Sequence, residues 1–136
     1  MTPKQHKTRD VSRDHYTTYR KKAKEFLNSM EASLRVREWN AAGLNAVHCA
    51  ISSADALLVY NAGIRSAGDS HHDISFLLVQ HVKDTDTGPK AKTLAKIIDY
   101  KFLAAYEDRE IIESEALELA KITRRFFEWM ESLLAV

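Results

Sequence analysis

From Asn40 to Ile64 the chain carries no lysine or arginine, and this stretch limits its possible folds more than any other. Leu44, Ala46, Val47, Ala50, Ile51, Ala54, Leu57 and Leu58 recur at helical spacing, which predicts a helix over about 39–62. A helix that apolar must be covered by neighbours on most sides. Its small residues (Ala41, Ala42, Gly43, Ala46, Ala50, Ala54) let those neighbours approach closely, and Gly63 is a natural stop.

The flanking segments supply the neighbours. Tyr16, Tyr19, Ala23, Phe26, Met30 and Leu34 form one stripe, predicting a helix from about 14 to 36. Ser70-His-His-Asp73 has the form of a capping box and should start a shorter helix that turns Ile74, Leu77, Leu78 and Val82 inward. Asp84–Pro89 reads as a loop, with Pro89 suited to a first helical turn. The next helix should bury Leu94, Ile97, Ile98, Phe102 and Ala105. The last should begin near Glu113, Glu115 and Glu118, whose charges suit the positive end of its dipole. Its stripe runs from Ala116 through Leu119, Thr123, Phe126 and Met130 to Leu133.

No segment shows sustained period-two alternation, so no strand is expected. Four glycines and two prolines are few for 136 residues, which also disfavours a turn-rich β fold. The fold class is therefore all-α, an antiparallel up-and-down four-helix bundle with one additional short helix.

Composition narrows function by exclusion. No apolar run reaches the roughly 18 residues of a bilayer span, and the N-terminus lacks the apolar core of a secretory signal. The single cysteine, Cys49, leaves no partner for an intramolecular disulfide or a Cys-based zinc cluster, and a reducing cytoplasm is the expected location. There is no phosphate-binding glycine loop, no HExxH and no paired ExxH, so neither a cofactor nor a metal is expected. His71, His72 and Asp73 are adjacent and should point in different directions, which does not suit chelation. Trp39, Phe126, Phe127 and Trp129 fall at helical positions suited to core or dimer contacts.

Charge is uneven. Residues 1–24 hold eight Lys or Arg against Asp10 and Asp14, within a chain of net charge +1. Residues 1–13 read as a flexible basic arm and 14–136 as one helical domain. Asn45, His48, Ser52 and Asp55 make a polar stripe on the apolar helix. Asp55 sits between two alanines, where an unpaired carboxylate is expensive, so it should find a cation; Arg65 and Lys101 are the candidates. Arg65 lies a few residues before His71 and His72. Such a pair can hold a phosphate and move a proton, the two needs of phosphodiester chemistry.

The segments Trp39–His48, Ile51–Leu57, Gly63–His71, Lys101–Tyr106 and Glu115–Ala120, with Phe126–Trp129, together resemble the HEPN family. The name stands for higher eukaryotes and prokaryotes nucleotide-binding. The resemblance covers about residues 14–135. It implies a helical bundle that commonly pairs as a homodimer. Many members are metal-independent ribonucleases, often toxins paired with nucleotidyltransferase-like antitoxins; others bind RNA or nucleotides, or serve as scaffolds. Active members carry an Arg and a His a few residues apart on a late helix near the dimer cleft. Lys101 and Tyr106 match that position here, with Lys in place of Arg and Tyr in place of His. Lys still holds a phosphate as a point charge, but Tyr, with an unperturbed pKa of about 10, is a poor general base at neutral pH.

The expected function is accordingly a homodimeric domain that binds RNA, a nucleotide or a protein partner without strong catalysis. Its ligand-binding residues would be Asp55, Arg65, His71, Lys101 and Tyr106. The alternative is a metal-independent, toxin-type ribonuclease with Arg65 and His71 as catalytic pair. A nucleotidyltransferase-like protein is a further expected partner.

Overall fold

The computed structural model describes residues 6–68 and 70–134. A short ribbon strand β1 (Thr8–Asp10) and one 3-10 turn (Arg13–His15) lead into α1 (Tyr16–Arg35). There follow α2 (Trp39–Ala62), β2 (Ile64–Ser66), α3 (Asp73–His81), α4 (Thr87–Tyr106) and α5 (Glu113–Leu133). The described residues are thus all-α apart from one two-stranded ribbon.

The helix α2 is the hub and packs against each of the other four. Its residues from Cys49 to Val59 are all buried. By length and composition α2 passes the test for a membrane span, contrary to the expectation from apolar runs, but most of it is buried inside the protein. The cover comes from Tyr19, Ala23 and Met30 of α1, Leu77 and Leu78 of α3, Leu94, Ile97 and Ile98 of α4, and Phe126 and Met130 of α5. Phe127 and Trp129 are buried as well. The Arg20–Glu131 and Arg124–Glu31 pairs tie α1 to α5 at the surface.

The helix ends follow local chemistry. Arg37 takes a left-handed φ of 61° after α1, its N–H donating to the Leu34 carbonyl and that of Glu38 to the Ser33 carbonyl. This is a Schellman ending built without glycine. Gly63 ends α2 at φ 63° and donates to the Val59 carbonyl, as its position suggests. Pro89 lies in the first turn of α4, where its missing N–H is not needed. At the start of α5 the Glu115 carboxylate accepts the Ile112 N–H at 3.1 Å and grips Arg109 through both oxygens.

Four expectations need correction. A strand exists: β1 and β2 pair antiparallel with Thr8 opposite Ser66, Arg9 opposite Arg65 and Asp10 opposite Ile64. Residues 8–10 therefore have regular structure within the expected arm, whose first five residues lie outside those described. The Ser70–Asp73 capping box does not form. Ser70 Oγ instead accepts the His72 N–H at 3.2 Å, and Asp73 turns to His6 at 2.9 Å. Phe102 and Ala105 point outward, because the last turns of α4 run past the core that covers Ile97 and Ile98. Leu44 is partly exposed, while Gly43 one residue earlier lies against Ile111 and Leu119.

Candidate functional site

The polar groups gather where the end of α2, the ribbon and the start of α3 meet. Asp55 is 3% exposed on α2. The Gly63 turn reverses the chain directly after α2, so β2 runs back past it and presents Arg65 to Asp55. Arg65 Nη2 donates to Asp55 Oδ2 at 3.1 Å, and the guanidinium lies 4.8 Å from the centre of the Tyr19 ring. The loop after β2 then delivers His71, whose Nε2 accepts from Lys101 Nζ on α4 at 2.9 Å.

Asp55, Arg65 and His71 line one small cleft of about 70 Å³, together with Ile51, Ser66 and Ile74. Sites that enclose a whole small molecule span roughly 300–1,000 Å³. This cleft takes a single small group and leaves the rest of any ligand outside. A wider depression of about 640 Å³ between α1 and α5, lined by Arg20, Lys24, Phe127 and Glu131 among others, shares no residue with it.

The local field is cationic. Burial pushes the Asp55 carboxyl up, while Arg65 and, more weakly, Arg9 and Lys22 pull it back. The same pairing raises Arg65 despite its partial burial. His71 is lowered by burial first, then by the charges of Lys101, His48, His72 and Arg65. His48 is also lowered, by burial and by Lys101. Groups that suppress each other's positive charge are groups that an anion would relieve. A protonated Lys101 donating to Nε2 fixes the proton of neutral His71 on Nδ1.

The structure brings four of the five residues singled out from sequence into this neighbourhood: Asp55, Arg65, His71 and Lys101. Tyr106 does not join them. It is 74% exposed at the end of α4, its ring against Phe102. The five-residue interval from Lys101 turns it to another face of the helix. His71, His72 and Asp73 diverge to Lys101, Asp99 and His6 respectively. His48, which sequence spacing places only on the α2 stripe, belongs to the neighbourhood too; its spacing of seven before Asp55 is the available signal. Its ring stacks on Phe26 at 5.2 Å.

Comparison with known families matches the chain to the HEPN domain over residues 16–133. No curated protein and no solved structure matches the chain.

Proposed function

Since this chain belongs to the HEPN domain family, we propose that it binds RNA through a phosphate seated at Arg65, His71 and Lys101, without strong catalysis. One observation carries the reading: Arg65 of β2 and His71 of the α3 lead-in line one cleft, Lys101 of α4 reaches that His71 from outside it, and the acid among the described lining residues, Asp55, is buried and already paired. Asp55 holds Arg65 in place from below, and Tyr19 supports its flat face. Lys101 supplies a point charge and the His71 Nδ1–H a directional donor. A general base needs a free lone pair, and the Nε2 lone pair of His71 is occupied by Lys101. That is the physical case for binding over cleavage.

The helices form an up-and-down bundle of α1, α2, α4 and α5 with α3 as the short addition. The protein acts in the cytoplasm as a homodimer, and Phe76, Val79 and Phe102, each more than half exposed, supply apolar surface for pairing. A nucleotidyltransferase-like protein is the partner to seek by co-purification.

A second reading rests on the lowered His71. An imidazole neutral at physiological pH takes a ribose 2′-hydroxyl proton once Lys101 moves to the phosphate. The 2′-oxygen then bonds to phosphorus, giving a 2′,3′-cyclic phosphate as the bond to the 5′-oxygen breaks and that oxygen takes a proton from water, while Arg65 stabilises the developing charge. One experiment separates the two. Single-stranded oligouridine is mixed with the protein in chelator, binding is measured, and RNA length is followed. Salt-sensitive binding of intact RNA, weakened by Lys101→Ala, is the expected result. Cleavage abolished by His71→Ala moves the conclusion to the ribonuclease. Absence of binding, or binding indifferent to Lys101→Ala, refutes the cleft.

A further inference from the structure

The ribbon and the start of α1 carry two more cations beside Arg65. Arg9 stands directly opposite Arg65 in the β1–β2 register. Side chains directly opposite on an antiparallel pair share a face about 4.5–5.5 Å apart at Cβ, and like charges placed so repel. Thr8 and Asp10, one residue to either side, face the other way, so Asp10 does not relieve the pair. Lys22 Nζ lies 5.5 Å from the centre of the same Tyr19 ring that Arg65 covers at 4.8 Å. Arg9 and Lys22 are both exposed, and neither forms an ion pair among the described residues. Asp55 feels all three cations, but it is buried and spent on Arg65.

Three cations set around one committed acid are an arrangement that a single phosphate does not use up. The cleft itself holds only one small group. We propose that Arg9 and Lys22 extend the Arg65 cleft into a basic track that holds successive phosphates of a single-stranded RNA, so that the ligand is an oligomer and not a mononucleotide. This rests on the RNA-binding reading above and assigns it a length and a direction: from Lys101 and His71, past Arg65, to Arg9 and Lys22. The Tyr19 ring offers no base platform here, since it is buried beneath the cations. The contact is therefore to backbone, and sequence preference is not expected from it.

The test compares salt dependence. The probes are a fluorescent oligouridine of about ten nucleotides, within the usual span of single-strand sites, and uridine monophosphate. The full chain should bind the oligomer with a steeper fall of log affinity against log salt than the monophosphate. Arg9→Gln and Lys22→Gln should each lower the oligomer slope by about 0.7, the share of one single-strand phosphate contact. Both residues are exposed, so the variants should keep the wild-type circular dichroism and urea midpoint. If both keep the wild-type slope while Lys101→Ala weakens binding, the track is wrong and the cleft stands. If wild type binds no oligomer, or Lys101→Ala changes nothing, the cleft and the track fall together. An oligoglutamate bound as tightly as the RNA, with the same losses in the variants, overturns the assignment to RNA.

Discussion

Replacing Arg65 with methionine keeps much of the side-chain volume and removes the charge that balances Asp55. The carboxylate is 3% exposed, and its hydrogen bond from Arg65 is 3.1 Å long. Breaking a buried pair from one side leaves a charge with neither water nor partner, which costs about 3–5 kcal/mol. That is a large part of the roughly 5–15 kcal/mol that holds an ordinary domain together. The loss should depend on pH with a definite sign. Burial raises Asp55 above the ordinary carboxyl range, so the folded chain keeps this proton more tightly than the unfolded chain does. Stability from this group is therefore present at low pH and falls as pH rises from the unfolded pKa through the folded one. Without Arg65 the folded pKa rises further, and the fall extends to higher pH. Urea unfolding at pH 5 and pH 8 should find Arg65→Met destabilised by about 3 kcal/mol or more at pH 8 and by clearly less at pH 5. The double variant Asp55→Asn/Arg65→Met should recover much of the loss, because no buried charge remains. A loss below about 1 kcal/mol at pH 8, equal at both pH values, would refute the claim that Asp55 depends on Arg65.

Three further outcomes follow from the same geometry. Lys101→Ala should raise the His71 pKa towards the ordinary 6.5, because it removes the strongest charge acting on the ring after burial; a proton NMR titration reads this directly. In the wild type the lowered His71 makes folding less favourable as pH drops below the unfolded value, the opposite sign from Asp55. Gly63→Ala should cost about 1–2 kcal/mol in urea unfolding, since its φ of 63° disfavours a Cβ and that Cβ would meet the Val11 carbonyl oxygen at 3.2 Å. Cys49, fully buried with its thiol pushed up to about 12, should react with a thiol reagent no faster than the protein unfolds. Rapid labelling of the native state would contradict that burial.

The helices were legible because their signals are local. The stretch without Lys or Arg marks α2, and the expected span of about 39–62 coincides with Trp39–Ala62. The ribbon was not legible. Strands of three residues are too short to establish a period of two, and β1 finds its partner more than fifty residues away. The outward turn of Phe102 was hidden for a related reason. Spacing says which residues share a face, and only packing says where the cover stops. The pairing of Asp55 with Arg65 could be anticipated because a buried carboxylate must have a donor and few cations were near in sequence. The contact of Lys101 with His71 joins a loop to a helix thirty residues on. Family spacing paired Lys101 with Tyr106 instead, which the helix rotation separates.

The central claim is that Arg65, His71 and Lys101 act on one phosphate. The most direct measurement is an NMR titration of the isotope-labelled protein with single-stranded oligouridine, following the Arg65 guanidinium, the His71 ring and the Lys101 ammonium together. The account predicts that all three signals move and saturate along one binding curve, with His71 keeping its proton on Nδ1. Signals that stay still at these residues while others shift, such as those of Arg20, Lys24 and Phe127 along the α1–α5 depression, would contradict it.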